Sequence, residues 1–278
     1  MIEAKKIRKT FGKQVAVNDL NLHIERGMSF ALLGPNGAGK TTTMRILSSL
    51  LESEGGEVRI DGQIMNRKNK KIKEELGMVS QHFSLQREMT PVEVLRLHGK
   101  LHKMKKKDME QRINELITFA KMDKDRDKTV GNLSGGNKRK LMIIRAVMHR
   151  PKVLFLDEPT VGLDATIRRT IWDLLRKLKN EGMTIFLTTH YIEEANVLCD
   201  KIGMMSNGQI IAENSPSAFM KEIEPLVVEC FDGKTTTYQY FETRNDAAQF
   251  AATENMTTLI RDSNLEDVYI KYTSEKIG

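Results

Sequence analysis

One short segment constrains this chain more than any other feature, a glycine-rich loop between a strand-like run and a helical stretch. The loop fits the pattern G-x-x-x-x-G-K-[ST] and consists of Gly34, Pro35, Asn36, Gly37, Ala38, Gly39, Lys40 and Thr41, with Thr42 directly after it. The apolar run Ser29 to Leu33 precedes it, and a helical pattern from Thr42 to Leu51 follows it. This context indicates a loop whose glycines turn backbone N–H groups toward a phosphate.

The two residues that end this loop predict the ligand. A lysine at the position of Lys40 supplies a positive charge to the β- and γ-phosphates of a nucleotide, and the hydroxyl of Thr41 can coordinate magnesium. We therefore predict ATP and Mg²⁺ as cofactors, with the residues Gly34 to Thr42 bound to the phosphates.

Length and composition predict a globular protein. The chain is also predicted to have no membrane span of its own. The chain has 278 residues, of which 40% are hydrophobic and 29% charged, the balance of a folded globular chain. Its two cysteines, Cys199 and Cys230, predict neither a disulfide framework nor a cysteine zinc site, which favours a reducing, cytosolic compartment. The apolar runs are strand-sized, so we expect neither a membrane span nor a secretory signal.

The net charge of +7 is concentrated in two stretches, Arg67 to Lys73 and Lys100 to Lys107. Solvated helix faces and loops explain such stretches most simply, and docking to an anionic membrane surface is the next interpretation. Nucleic-acid binding is the weakest, because no aromatic side chains are interleaved with these lysines. We expect no nucleic-acid partner.

The order of predicted elements indicates an α/β fold. Residues 2–32 alternate around turns at Gly12 and Gly27, which predicts short antiparallel strands before the phosphate loop. Strand-like and helical stretches then alternate to about residue 212, as in a mainly parallel sheet. Residues of about 88–150 interrupt this pattern with helices, which we interpret as an inserted helical subdomain; they are predicted at Pro91 to His102, Lys107 to Ala120 and Lys138 to His149.

A hairpin and a small second unit are predicted toward the end of the chain. Asn207-Gly208 separates two strand-like runs and favours a type I′ turn. Beyond Pro225, strands are predicted at Leu226 to Phe231, Thr236 to Phe241 and Met256 to Arg261, and helices at Arg244 to Ala252 and Leu265 to Tyr272. We predict a nucleotide-binding domain of residues 1–224 and a small α/β domain of residues 225–278.

Polar side chains follow three further strands of the predicted sheet. Gly77 to Ser80 runs into Gln81, Val153 to Leu156 into Asp157 and Glu158, and Thr184 to Thr189 into His190. Because ligands bind beyond the carboxyl ends of parallel strands, these side chains should lie near Lys40 and Thr41.

Each of these side chains has a predicted role. Asp157 suits the magnesium shell, and Glu158 suits a general base that polarises the attacking water. Pro159 predicts an extended backbone at Glu158. His190 is expected to form hydrogen bonds to the γ-phosphate and the attacking water. Gln81 is a candidate site residue only because the other strand-end residues are predicted to lie beside it.

A second helix start could also bind a phosphate. Leu133-Ser134-Gly135-Gly136-Asn137 precedes an amphipathic helical stretch, so Ser134 is the predicted N-cap. Taken alone, this segment indicates a capped helix and nothing more.

Together these segments resemble the nucleotide-binding subunit of ABC transporters over residues of about 1–215. The family's motifs occur in its own order: the phosphate loop, Gln81, Leu133 to Asn137, Val153 to Glu158, Gly162-Leu163-Asp164, and His190. The fold this implies is a phosphate-loop NTPase core with an N-terminal antiparallel β subdomain, an inserted helical subdomain and a small C-terminal α/β appendix.

The resemblance also implies how the site is assembled. ATPase domains of this family pair head to tail, so Ser134, Gly135 and Gly136 of one chain would face the phosphate loop of another. Asp164 would act across that interface, Phe11 would stack on adenine, and Gln81 would contact both the metal and the attacking water. The segment Leu133 to Asn137 matches the family's signature motif. The fifth residue of this signature is usually glutamine or glutamate, and here it is Asn137.

The partners follow from the same resemblance. Gln81 to Leu85, Met89 to Val94 and Leu265 to Ile270 resemble the ABC-2 class of exporters, so we expect a separate transmembrane subunit, docked on segment 82–105. The second ATPase subunit would complete a homodimer or a heterodimer, peripheral at the cytoplasmic face of the cell membrane. A soluble ABC ATPase of translation or DNA repair and a non-hydrolysing regulatory subunit remain the alternatives.

Overall fold

The computed structural model describes residues 1–66 and 68–274. Arg67, the first residue of one predicted basic stretch, lies outside the described residues. So do residues 275–278, the end of the predicted C-terminal domain.

The N-terminal region forms an antiparallel sheet, as the sequence predicts. Strands β1 (Ile2–Phe11) and β2 (Gln14–Ile24) pair around the turn at Gly12, where φ is +58°. After β3 (Ser29–Leu33), which joins a different sheet, strands β4 (Gly55–Ile60) and β5 (Gln63–Ile64) complete this one in the order β2-β1-β4-β5. The sequence analysis did not identify β4 or β5.

The central sheet has six strands in the order β10-β9-β3-β8-β7-β6. The other strands of this sheet are β6 (Leu76–Val79), β7 (Val153–Asp157), β8 (Thr184–Thr189), β9 (Lys201–Ser206) and β10 (Gln209–Asn214). Every pairing is parallel except that of β9 with β10, so the predicted mainly parallel sheet is confirmed.

Helices surround these strands. In chain order they are α1 (Lys40–Leu47), α2 (Lys70–Lys73), α3 (Pro91–Leu101), α4 (Lys106–Phe119), α5 (Gly135–Ala146), α6 (Ala165–Asn180), α7 (Ile192–Leu198), α8 (Pro216–Phe219), α9 (Arg244–Thr253) and α10 (Leu265–Ser274). No helix within the described residues combines the length and apolar character that crossing a bilayer requires.

The middle strands of the central sheet are buried on both faces. Every residue of β3, β7 and β8 is buried, which explains their continuous apolar runs. Alternate side chains enter two different cores: Leu154 and Leu156 contribute to one, and Phe155 and Phe186 to the other. On that second face the ring of Phe30 stacks on Phe186, with centroids 5.9 Å apart.

Helix α1 is shorter than the sequence predicts. It begins at Lys40, because Gly39 adopts a left-handed φ of +105° at the N-cap. It ends at Leu47 and not at Leu51, since Ser49 has a φ of +58° and breaks the helical path. The hydroxyl of Ser48 donates to the Met44 carbonyl at 2.9 Å and helps to close this end.

The predicted helical segment lies between β6 and β7. Its three helices, α3, α4 and α5, are confirmed with shifted ends. A capping box starts α3: Thr90 accepts from the Glu93 N–H, and the Glu93 carboxylate accepts from the Thr90 N–H.

The end of the chain also follows the prediction. Strands β9 and β10 form the predicted hairpin, and its turn residues Asn207 and Gly208 have φ values of +48° and +79°. A three-stranded antiparallel sheet follows in the order β12-β11-β13, formed by β11 (Leu226–Phe231), β12 (Thr236–Phe241) and β13 (Thr257–Asp262).

An aspartate whose side chain is 41% exposed anchors the strand that leads into the phosphate loop. Asp200 accepts hydrogen bonds from the N–H and hydroxyl of Ser29 at 2.8 and 2.9 Å, and from Lys179 at 2.6 Å. Burial alone would raise the pKa of Asp200, but these hydrogen bonds outweigh burial and lower it. A lowered pKa in the folded state stabilises the fold above the unfolded pKa, and this contribution is lost as pH falls through the folded pKa.

Replacing Asp200 with alanine should reduce the free energy of unfolding by about 1–3 kcal/mol at neutral pH, because the backbone N–H of buried Ser29 loses its acceptor. The difference from wild type should shrink as pH falls below 3.8, the ordinary pKa of an aspartate. Denaturant unfolding at several pH values measures both effects.

The control is Asp173→Ala, which removes an aspartate whose side chain is 70% exposed. It should change the free energy of unfolding by less than about 0.5 kcal/mol. Equal stability of wild type and Asp200→Ala at neutral pH would contradict the assignment.

Candidate functional site

The carboxyl ends of the central strands converge on one cleft of about 500 Å³. It is lined by Phe11, Gln14, Ala16, Asn36, Gly37, Gly39, Lys40, Thr41, Thr42, Gln81, Glu158, Val161 and His190. The N-terminal sheet therefore contributes one wall, and the phosphate loop and the strand ends contribute the rest.

The glycines of the phosphate loop meet two physical demands. Gly37 and Gly39 have positive φ values of +86° and +105°, which side-chain-bearing residues rarely adopt. A Cβ atom on Gly39 would also lie 2.1 Å from the carbonyl oxygen of Ala16. The loop thus presses against the N-terminal sheet and leads directly into the N-terminus of α1.

Lys40 points back into the loop that precedes it. Its ammonium donates to the carbonyl oxygens of Gly34 and Pro35 at 2.8 and 3.1 Å. It also lies 3.5 Å from the Glu158 carboxylate, and both side chains are almost fully buried. The Lys40 ammonium and the N–H groups at the start of α1 thus lie together at this end of the cleft, and both favour an anion.

The backbone at Glu158 differs from the prediction. An extended conformation was expected before Pro159, but Glu158 adopts a left-handed φ of +48°. Its N–H donates to the carbonyl oxygen of Thr188 at 3.0 Å, which ties this turn to the neighbouring strand β8. The local preference of the proline is overruled by this tertiary contact, and the strained turn holds the carboxylate at the cleft.

Glu158 lies between two nitrogen groups. One carboxylate oxygen faces the Lys40 ammonium at 3.5 Å, and the other contacts Nδ1 of His190 at 2.8 Å. His190 remains about one-third exposed, with its ring 4.2 Å from the ring of Tyr191. The arrangement fixes both the carboxylate and the imidazole ring at the strand ends.

Asp157 connects three elements just behind the cleft. Its Oδ1 accepts from the hydroxyl of Thr41 at 2.9 Å and from that of Thr188 at 2.7 Å. Asp157 is itself only 3% exposed. These bonds align a carboxylate oxygen with the hydroxyl at the start of α1.

A buried arginine holds the loop that carries Gln81. The guanidinium of Arg139, on α5, donates to the carbonyl oxygens of Ser80 and Gln81 at 2.9 and 2.8 Å. The same guanidinium lies 5.2 Å from the centre of the Phe83 ring. The helix that Ser134 caps is thus hydrogen-bonded, through Arg139, to the loop that carries Gln81.

A buried acid lies beneath the Glu158 turn. Glu194 accepts from the Thr160 hydroxyl at 2.8 Å and from the Trp172 indole N–H at 3.3 Å. Burial raises the pKa of Glu194, and the charge of Glu158 adds to that rise. Glu194 supports the chain segment after Glu158 without lining the cleft.

The aromatic residue Phe11 closes the outer side of the cleft. It ends β1, is 50% exposed, and lies under the ammonium of Lys9 at 5.6 Å. An exposed aromatic face at the edge of a cleft can stack on a planar ring.

The signature segment lies elsewhere. Ser134 caps α5 by accepting from the N–H of Asn137 at 3.2 Å, and the Asn137 side chain donates to Asp125 at 2.7 Å. Gly136 packs so closely that a Cβ would lie 2.5 Å from Ile167. Within the described part of the chain, Ser134, Gly135 and Gly136 line no part of the cleft.

Asp164 is also outside the cleft. It caps α6 by accepting from the N–H of Ile167 at 2.9 Å, and it is exposed. The exposed N-cap of α6 and the exposed N-cap of α5 are therefore joined through the packing of Gly136 on Ile167.

The structure brings most of the predicted site residues together. Ten line the cleft: Phe11, Asn36, Gly37, Gly39, Lys40, Thr41, Thr42, Gln81, Glu158 and His190. Gly34, Pro35 and Ala38 contribute to the loop from behind, and Asp157 bonds to Thr41. The sequence analysis missed Gln14, Ala16, Val161, Thr188 and Arg139. Thr188 was recoverable, since it lies two residues before His190 in the same predicted strand.

Comparisons with known proteins agree with this geometry. The family model described as ABC transporter matches residues 17–161. The Nod factor export ATP-binding protein I of Cupriavidus pinatubonensis (strain JMP 134 / LMG 1197) is 35% identical, over 100% of this chain and 92% of that protein. The protein of the same name from Rhizobium sp. (strain N33) is 38% identical, over 84% of this chain and 77% of that protein.

Solved structures share the fold. An ATP binding subunit of an ABC transporter superposes with a TM-score of 0.75 at 23% identity, over 98% of this chain and 99% of that one. A dimeric ATP-binding cassette in a post-hydrolysis state, bound to ADP and Pi, gives a TM-score of 0.71 at 28% identity, over 77% and 98%. The predicted α/β phosphate-loop fold is therefore confirmed.

Fold, site and relatives agree on one assignment. A family model that covers half of the chain and relatives aligned along nearly all of it agree with the motifs. The chain belongs to the ABC transporter family, as an ATP-binding subunit that hydrolyses ATP to power transport.

Proposed function

We propose that this chain is the ATPase of an exporter and that it hydrolyses ATP at the cleft between Phe11 and His190. One observation carries the proposal: Lys40, Glu158 and His190 form a continuous chain of contacts of 3.5 and 2.8 Å at the ends of three adjacent strands. A phosphate-binding cation, a candidate base and a hydrogen-bonding ring thus meet where a γ-phosphate would lie.

The residues at the start of α1 fit a magnesium ion. The hydroxyl of Thr41 and the carboxylate of Asp157 are 2.9 Å apart, and the amide side chain of Gln81 lines the same cleft. Oxygen donors of this kind suit Mg²⁺, which prefers a few protein ligands together with phosphates and water. When bound, the ion neutralises charge on the β- and γ-phosphates.

Glu158 is the proposed general base. Its carboxylate accepts a proton from the attacking water as the new bond to the γ-phosphorus forms and the bond to the β–γ bridging oxygen breaks. His190, bonded to Glu158, orients the base and is placed to contact the γ-phosphate. Lys40 and the N–H groups of the loop stabilise the charge that accumulates on the phosphate oxygens.

A second ATPase subunit completes each site in this proposal. Exposed Ser134 and buried Gly136 lie at the N-terminus of α5, outside their own chain's cleft. A helix N-terminus binds phosphate, so it has to face the cleft of another subunit to act on ATP. One solved relative is itself dimeric. We propose a head-to-tail pair in which Asp164 acts across the interface.

Segment 82–105 is the proposed docking surface for a transmembrane subunit. Three large apolar side chains are exposed there, Phe83 at 50%, Leu97 at 38% and Leu101 at 71%. Leu97 and Leu101 are four residues apart in α3 and therefore share a face of the helix, and exposed apolar side chains on one face mark sites of protein contact. Docking there would hold the chain at the cytoplasmic face of the membrane as a peripheral subunit.

The export direction rests on the relatives, which are named for export of Nod factors. We propose that this chain also powers export, as a member of the ABC-2 class. The membrane subunit would determine which cargo is exported.

We also propose the division into residues 1–224 and 225–278. Val228, Cys230 and Ala247 form a small separate core between the last sheet and α9. Leu265 and Val268 of α10 instead join the main core, and these contacts dock the second unit on the first.

Glu158→Gln should lower steady-state phosphate release by about 10²- to 10⁴-fold, because an amide cannot accept the proton from water. ATP binding and ATP-dependent dimerisation should persist, since the amide keeps the shape of the side chain. Phosphate release at saturating ATP and analytical ultracentrifugation measure the two properties.

The matched control is Glu193→Gln on α7, where the glutamate side chain is 61% exposed. It should turn over like the wild type. Unchanged turnover in Glu158→Gln would remove this residue as the base.

Complementation tests the shared site. Lys40→Ala and Ser134→Arg should each be inactive alone, because each variant disables both sites of its own homodimer. A mixture should recover about a quarter of wild-type activity, because half of the dimers are mixed and each has one intact site.

The control for this mixture is the double variant carrying both substitutions in one chain. Mixed with either single variant, it leaves no site intact and should restore nothing. A mixture of the single variants that stays inactive although mixed dimers form would contradict the head-to-tail arrangement.

Leu101→Asp tests the docking surface. Because Leu101 is 71% exposed, the change should leave the fold and basal ATPase activity intact. Recovery of the membrane subunit by co-purification from detergent-solubilised membranes should fall about tenfold or more, as expected for an interface hot spot.

Leu259→Asp is the control, since Leu259 is 56% exposed but lies on the C-terminal sheet. It should co-purify with the membrane subunit normally. Equal recovery with both variants would exclude Leu101 from the interface.

A further inference from the structure

Three of the six histidines meet at the base of the helical segment. His98 lies in α3 and His102 is its C-cap, one helical turn later, while His149 follows α5. One ring nitrogen from each of the three lies within 4.8 Å of the other two. All three side chains are half-buried, and none of them takes part in the ATP cleft.

Two of the rings are stacked face to face, and the third is tilted against both. The ring of His102 stacks on that of His149 at 3.7 Å between centroids. The centroid of His98 lies 4.6 Å from that of His102 and 5.5 Å from that of His149. Three imidazoles at these distances place several nitrogen atoms around one small volume.

Two nitrogens of this cluster are buried without a partner. Nε2 of His149 contacts the carbonyl oxygen of Leu76 at 3.1 Å, so it must carry the proton and donate. This leaves a lone pair on Nδ1, and neither that atom nor Nε2 of His98 finds a hydrogen-bond partner among the described residues. Buried polar atoms that remain unpaired cost free energy, and a bound cation would satisfy them.

The hydrogen bond from His149 to the Leu76 carbonyl is also a feature of metal-binding histidines. Metal-binding histidines commonly donate their second ring N–H to a backbone carbonyl, which fixes the tautomer and aims the other nitrogen at the metal. His149 has this arrangement already, with Nδ1 as the available ligand atom.

The protonation state favours a ligand role. Burial lowers the pKa of His98 to about 3 and that of His149 to about 4. Burial also lowers the pKa of His102, against the opposing charge of Glu74. Neutral imidazole is the form that binds metals.

We propose that His98, His102 and His149 form a binding site for a divalent transition metal ion, with Zn²⁺ as the leading candidate. Three imidazoles with a fourth position for water or a carboxylate is a common zinc arrangement. Zinc–nitrogen bonds of about 2.0–2.1 Å place tetrahedral ligand atoms about 3.4 Å apart. The ligand atoms lie within 4.8 Å of one another, so they would have to close to that spacing on binding, and the stacked ring of His102 would have to turn away from that of His149.

The location gives such an ion a structural consequence. It would tie α3 to the segment after α5 and, through His149 and Leu76, to the first residue of β6. Strand β6 leads into Gln81, so the ion would lie at the junction between the helical segment and the strand that carries a cleft residue.

The test uses the full chain without a polyhistidine tag, stripped of metal and free of nucleotide, so that the ATP site holds no magnesium. Calorimetric titration with Zn²⁺ should give about one ion per chain. His98→Gln and His102→Gln should each weaken binding about tenfold or more, and His23→Gln, which replaces an exposed histidine, should bind like the wild type.

Two further measurements separate this site from other binding. Co²⁺ should give the intense visible absorption of a four-coordinate ion in wild type and lose it in His102→Gln. Zn²⁺ should raise the melting temperature of wild type and of Asp157→Asn, but not of His102→Gln. No binding at micromolar Zn²⁺, or equal binding by wild type and both cluster variants, would overturn the proposal.

Discussion

The buried pairing of Lys40 with Glu158 is the interaction on which the rest of the site depends. Both residues are only 6% exposed and line the inner part of the cleft, so each charge has little contact with solvent. Removing one partner of such a pair typically costs about 3–5 kcal/mol, because the other charge stays buried and unpaired. The pair joins the loop after β3 to the turn after β7, and His190 extends it to the end of β8. The spacing between phosphate loop and base is therefore set by the parallel sheet itself.

Local pattern was enough to predict the strands of the central sheet and the residues that follow them. Glu158 and His190 come after strand-like runs, as does the phosphate loop that leads to Lys40, and parallel strands bring their carboxyl ends to one edge. The hairpin at Asn207 was predictable for a related reason, since its turn chemistry is local. These features are decided by neighbouring residues, so a single sequence contains the information.

The features that the sequence did not reveal depend on distant contacts. The left-handed Glu158 is held by Thr188, thirty residues away, against the preference that Pro159 imposes. Arg139 resembles any charged residue of a helix until the fold places it against the carbonyl oxygens of Ser80 and Gln81. The histidine cluster likewise brings together His98 and His149, which are 51 positions apart in the sequence. No local sequence pattern predicts that contact. Only tertiary packing decides such pairings.

A single chain of this ABC ATPase holds a phosphate loop and the proposed base Glu158, while its signature helix begins outside the cleft. The central claim is that one chain contributes half of each ATP site. The most direct measurement is the hydrolysis rate per subunit over a wide range of protein concentration, together with the sedimentation of the ATP-bound protein. The account predicts a rate per subunit that rises with concentration and levels off once dimers dominate. A rate per subunit that stays constant while the protein sediments as a monomer would contradict it.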